Sequence, residues 1–335
     1  MDQVAKQTSE YTCQPKWLLS GILVVLLFNL GCQPFNLNRT RLEPTPQVFE
    51  QPPSQTDLMT LVNQRSQAVK EVQAQVSVSL SGVPTRLNGS LVVQRPKNLR
   101  LKISPLGVDS LGADVGSNQE EFWVWIKSAG IGAESMMLHA RHDEFANSPN
   151  ANQLPLDPQW LFDSLGLVTF QPNRNYHGPT LRDGRLEVQE TEYRPTGVQY
   201  SVLTFDQKTG LLLRKALYDS KGQLVGHCDL FDHQYHPSVG VALPTRVTIN
   251  FHPNTPMASQ AEIQLSNVQL NGLYVDQNSA WNRPTPVGVR QVDLARTVLA
   301  PSQMMIQTSG FQPPAEKPGE AGSFRGAFLN KLGLR

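Results

Sequence analysis

The chain has 335 residues, 39% of them apolar, and sets 29 basic residues against 28 acidic ones for a net charge of +1. That length allows one large or two small domains, and the near-zero charge supplies no basic face or stripe of the kind nucleic-acid readers carry, so no nucleic-acid partner is expected. Three cysteines, Cys13, Cys32 and Cys228, close at most one disulfide, which excludes a disulfide-stapled secreted scaffold.

In chain order, the first element is an apolar run from Trp17 to Leu30 behind Lys6 and Lys16, followed at once by Gly31-Cys32. Its 14 residues fall short of the ~20 that span a bilayer and fit the hydrophobic region of an export signal. Leu30-Gly31-Cys32 resembles the end of a bacterial lipoprotein signal, in which the cysteine is lipidated and becomes the new N-terminus. Asn29 and Leu30 depart from that pattern, which has Leu three residues and a small residue two residues before the cysteine. An uncleaved anchor or an ordinary secretory signal is the alternative, and it leaves Cys32 without a role. The resemblance implies two or three acyl chains on Cys32; one chain alone binds a membrane only marginally, so more than one gives a durable anchor. By analogy with enteric lipoprotein sorting, Gln33 rather than Asp after the cysteine leans the assignment toward the outer membrane of the envelope, with the protein facing the periplasm.

Residues 33–55 hold five prolines and four glutamines without apolar periodicity, the composition of a semi-extended tether. Thr56 to Val72 has apolar residues at helical spacing, with Thr56 or Asp57 as cap. At Val72 the period changes to two: Val72, Ala74, Val76, Val78 and Leu80 alternate with polar residues, a half-buried strand. About ten to eleven strands are expected in all, separated by turns such as Arg182-Asp183-Gly184-Arg185, Asp206–Gly210 and Ser220–Gln223, where Gly supplies the left-handed backbone of antiparallel hairpins. Between Asp143 and His177 prolines bracket one short helix, Gln159 to Leu165, led by Asp157-Pro158. After Ala280 the pattern fades.

The domain boundaries that follow are 1–31 signal, 32–55 lipidated cysteine and tether, 56–285 folded domain, and 286–335 a Pro/Gly-rich tail, mostly disordered. The fold class is mainly β (α+β), an N-terminal helix and a short second helix with about ten to eleven strands.

One helix, a run of meandering strands, a Pro-rich interruption and more strands behind such a signal resemble the LolA/LolB-like half-open β-barrel family, in its branch of bacterial lipoproteins. The resemblance is carried by Arg95-Pro96-Lys97-Asn98-Leu99-Arg100-Leu101 and by Asp114–Trp123, and covers roughly Thr56 to Leu270. It implies a strongly curved, unclosed antiparallel sheet with the N-terminal helix and the short second helix on its concave face, and a cavity that accepts hydrophobic ligand, lipid or lipoprotein acyl chains, in a non-enzymatic, monomeric protein held to the membrane by its lipid anchor. The alternative is a structural or protein-interaction module of the envelope with a filled cavity. No cofactor is implied.

Glu121–Lys127 breaks the alternation expected of a one-layer sheet, because both of its faces are apolar. Trp123 and Trp125 must therefore face covering protein or ligand, with Phe122, Val124 and Ile126 turned the other way. Phe122, Trp123, Trp125, Met136 and Leu138 are the ligand-wall candidates, Met being suited to an adaptable apolar surface. His227-Cys228-Asp229 with Asp232, His233 and His236 holds the residue types of a metal site, but neighbours on a strand point to opposite faces, so no metal ligands are assigned and Cys228 is expected in the core. Neither a phosphate-binding G-x-x-x-x-G-K-[ST] loop nor a G-x-S-x-G nucleophile turn occurs, and no catalytic residue is assigned.

Overall fold

A computed structural model of the chain describes residues 43–127, 135–152, 158–172, 174–194, 197–253, 258–272 and 280–297. Cys32 and the rest of the signal and early tether lie outside the described residues, as does everything beyond 297.

Helix α1 is Gln55–Ala68. Its cap is Ser54, two residues before Thr56 and three before Asp57: Ser54 Oγ accepts from the Asp57 N–H at 3.2 Å and donates to the Asp57 carboxylate at 2.6 Å. The Ser-x-x-Asp spacing satisfies an otherwise orphan amide and places a negative charge in the first turn. The helix ends at Ala68 rather than Val72, because the Lys70 and Glu71 N–H groups turn to the Asn271 side-chain oxygen, at 2.8 and 3.2 Å, and the chain leaves as a strand. The Arg95 guanidinium closes the helix end, donating to the Ser66 carbonyl at 2.8 Å and to the Ser66 hydroxyl, where the helix dipole favours a cation.

The first meander comprises β1 (Glu71–Leu80), β2 (Leu87–Gln94), β3 (Asn98–Pro105), β4 (Gly112–Ser117), β5 (Glu121–Lys127) and β6 (Met136–Arg141). There follow α2 (His142–Ala146), a 3-10 turn at Pro149–Asn152 and α3 (Pro158–Ser164). The second meander is β7 (Asn175–Arg182), β8 (Arg185–Arg194), β9 (Gly197–Asp206), β10 (Leu212–Tyr218), β11 (Leu224–His236), β12 (Val241–Phe251) and β13 (Ser259–Leu270), and β14 (Arg290–Asp293) follows. All fourteen strands form one curved, unclosed sheet in the order β14-β6-β5-β4-β3-β2-β1-β13-β12-β11-β10-β9-β8-β7. Every neighbouring pair is antiparallel except β14 with β6. The mainly β, half-open architecture expected from the sequence is thus present.

Three of the fourteen strands carry no alternating signal. β4 reads Gly-Ala-Asp-Val-Gly-Ser and is held by ladders on both sides. β7 contains Gly178-Pro179, tolerable because it is an edge strand with one unpaired side. β14 has only four residues, adds to β6 in parallel, and falls within the part of the sequence read as tail.

The two faces of the sheet are set by register. Leu99, Ser117, Phe122 and Ala140 stand opposite one another across β3 to β6, and so do Arg100, Gly116, Trp123 and His139 on the other side of the same strands. The first ladder faces inward, where α1, α3 and the residues after α3 cover the sheet. Val72, Ala74, Val76 and Val78 of β1 pack there with Leu91, Val93, Leu99, Phe162, Leu165 and Leu167. Further along, Leu58 and Val62 of α1 pack with Trp160, Phe170, Leu186, Val188, Leu203 and Phe205. The segment after α3 is pinned to the helix in both directions: Asn63 donates to the Phe170 carbonyl at 3.1 Å and accepts from the Phe170 N–H at 2.7 Å.

Candidate ligand site under the helical plug

Alternation divides the five ligand-wall candidates between the two faces of the sheet. Phe122, Met136 and Leu138 are on the inner side, in a cluster closed by Phe145 of α2, Ala151, Val292 and Leu294. Trp123 and Trp125 are on the outer side. Trp123 is fully buried there: the Arg100 guanidinium lies 5.2 Å from its ring centre, and its indole N–H points to Asp114 at 3.4 Å. Arg100 is itself paired to Asp114 at 2.7 Å and donates to the carbonyls of Ala280 and Asn282, both at 2.9 Å. Residues 280–283 return across this face, held also by Asn118 on the Trp281 carbonyl and by Arg283 on Glu121 at 3.1 Å. The second apolar face of β5 is therefore covered by the chain's own C-terminal return. Trp125 donates to Ser135 at 3.0 Å and carries Lys127 over its ring at 4.8 Å. The five residues do not form one wall, because neighbours on a strand point apart.

The interior opens instead along α1. A cavity of about 30 Å³ lies between the helix and strands β9 to β12, partly open to solvent, with Val62, Val69, Leu167, Phe205, Leu212 and Leu243 among its walls. Space of that size holds roughly two water molecules, or one small head group. Its polar lining is Arg65, Ser66 and His233. Arg65 donates to the Thr209 carbonyl at 2.6 Å, and burial draws its pKa down. His233, next to the left-handed Asp232 (φ 54°), contacts the Leu212 carbonyl at 3.0 Å, and burial lowers its pKa as well.

A second, smaller cavity of about 10 Å³, room for about one water, is lined by Asp163, Arg174, Tyr176, Glu190 and Lys215 among others. Here α3 meets the sheet through a buried ion pair, Lys215 Nζ to Asp163 Oδ2 at 2.5 Å, with Gln159 donating to the other Asp163 oxygen at 2.8 Å. Burial works to lower the Lys215 pKa, but the Asp163 and Glu190 carboxylates outweigh it and hold the ammonium above its ordinary range. Beside it Arg174 pairs with Glu190 at 2.5 Å.

Sequence reasoning missed Arg65, Asp163, Lys215 and the role of His233. Two signals were available: one acid inside Trp160-Leu161-Phe162-Asp163, and one lysine beside Ala216-Leu217 in a strand. The His/Cys/Asp cluster separates as strand geometry requires. Cys228 is fully buried and its thiol is pushed up to about 12 by burial, while His227 lies outside with Asp229 and Asn250. Among the described residues no group of three or more His, Cys, Asp or Glu is placed to hold a metal ion.

No protein-family model and no curated protein matches the chain. Among solved structures it is similar to a "putative outer membrane lipoprotein-sorting protein domain" from Vibrio parahaemolyticus, with 11% identity and TM-score 0.47, covering 67% of this chain and 94% of that one. It is similar to a LolA superfamily protein from Nitrosomonas europaea, with 11% identity and TM-score 0.42 over 64% of this chain and 94% of that one. A DUF1329 family protein from Desulfovibrio piger gives 14% identity and TM-score 0.39 over 68% and 98%.

Proposed function

We propose that this is a non-enzymatic, lipid-anchored protein of the bacterial cell envelope, a monomer that binds a hydrophobic ligand, lipid or lipoprotein acyl chains, between α1 and its half-open β-barrel. The observation that carries this reading is the seam along α1, where a partly open cavity with mainly apolar walls lies between the helix and the sheet. An acyl chain longer than the cavity enters as α1 rides off the sheet, replacing one apolar contact by another. Attachment rests on Cys32 and the tether, and leans to the outer membrane through Gln33. Among the described residues no helix is long and apolar enough to cross a membrane.

The tight packing elsewhere favours a second reading, a filled scaffold that docks other envelope proteins through its outer surface. One experiment separates the two. The protein carrying Cys32→Ser is purified, co-purifying lipid is sought by mass spectrometry, and a fluorescent acyl probe is titrated in. Lipid or saturable uptake supports the carrier; absence of both leaves the scaffold.

A further inference from the structure

Buried and half-buried cations in this domain are, as a rule, matched by carboxylates: Arg100 with Asp114, Arg174 with Glu190, Arg194 with Glu192, Lys215 with Asp163, Arg283 with Glu121. Two arginines break the rule. Arg95 is accounted for by the end of α1, whose last carbonyls it caps, and by Thr169. Arg65 has no such account. It lines the α1 cavity, and among the described residues its guanidinium meets one acceptor, the Thr209 carbonyl, and no carboxylate within ion-pair distance. A guanidinium carries five N–H donors in a planar fork suited to a carboxylate, so the larger part of its hydrogen-bonding capacity is uncommitted.

A partly desolvated cation costs free energy unless an anion answers it. Around Arg65 the cavity walls are mainly apolar, with Ser66 and His233 as the other polar side chains, and the space suits a group of a few atoms rather than a whole chain. The cavity is also partly open to solvent, so a tail attached to a head group lodged there has a way out.

We infer that the α1 cavity is a head-group site for a single-chain anionic amphiphile, a carboxylate with an alkyl tail, held by the fork of Arg65. This rests on the hydrophobic-ligand reading above and narrows it from any acyl chain to one that brings its own negative charge. Ser66 and His233 flank the head group, and the tail leaves through the open side of the cavity.

The test uses the full chain carrying Cys32→Ser, titrated by calorimetry with octanoate and, separately, with octanol, which has the same tail and no charge. Octanoate is expected to bind at least tenfold more tightly than octanol, and Arg65→Gln to remove that difference while Arg65→Lys keeps part of it. Circular dichroism checks that each variant is folded, and the octanoate–octanol comparison on unaltered Arg65 needs no variant. Equal binding of the two probes overturns the head-group site and leaves the hydrophobic-ligand reading standing. Preference for octanoate that survives Arg65→Gln overturns the role of Arg65. Binding of neither probe overturns both readings.

Discussion

The indole of Trp123 lies directly on Gly116: a β-carbon built at Gly116 stands 2.1 Å from ring carbon Cζ2, far inside any allowed contact. The two residues face each other across the β4–β5 ladder, so neither can step aside without breaking it. Gly116→Ala is therefore expected to destabilise the domain by about 1–3 kcal/mol, the usual cost of overpacking. A lower denaturation midpoint at unchanged slope in urea checks this, and a mutant as stable as the parent rejects it.

Lys215 and Asp163 make a second prediction. Removing one partner strands the other charge in the interior, so Asp163→Leu or Lys215→Met alone is expected to cost about 3–5 kcal/mol. The double variant, with no charge left to desolvate, should recover most of that loss. A double-mutant cycle by urea unfolding measures it; losses that simply add contradict the pairing.

Acid should weaken the fold before it reaches the carboxylate range. Burial is the first cause holding His139, His227, His233 and His236 below the ordinary value of 6.5. As the pH falls through about 6.5 the unfolded chain takes up protons first, and the balance moves toward unfolding. The melting temperature is expected to be flat above pH 7 and a few degrees lower at pH 5.5, with His233, the most deeply placed, the main contributor. His233→Gln should flatten the profile. A melting temperature that rises on acidification over this interval refutes the assignment.

Cys228 is expected to be inert. With its thiol pushed up to about 12 by burial and no exposed sulfur, alkylation at pH 8 should proceed only as fast as the protein opens. Peptide mapping after iodoacetamide, with and without urea, checks it; rapid modification of the folded protein shows the site to be open.

Much of this architecture was legible in local pattern. The alternation of Val72, Ala74, Val76 and Val78 marked β1 and its inner face, and Gly184, Gly210 and Gly222 all take the left-handed conformation their turns called for. What the sequence hid was pairing between distant segments. Trp123 and Trp125 announced that β5 was covered on both sides, but nothing nearby said that residues 280–283 did the covering. Arg65 reads as one more surface residue at the end of an amphipathic helix, since its solitude is defined by carboxylates that are absent from a cavity built by five separate elements. Asp163 and Lys215 stood out as charges in apolar surroundings, yet each names its partner only in three dimensions. The three strands without pattern contribute few buried residues, such as Val292 of β14 and Asp114 of β4, and depend on the strands they pair with.

The first strand of the domain sits beside the last strand of its second meander, Val72 opposite Leu270 and Leu80 opposite Ala261. Everything between them can grow outward by pairing sequence neighbours, but the middle of the sheet closes only when β13 is available. Until then β1 and β12 each expose a long bare row of backbone donors and acceptors, an open invitation to other chains. Synthesis must deliver some two hundred residues from the start of β1 before that gap is sealed, so a chain cut anywhere before Ser259 leaves two half-sheets that are sticky at the seam.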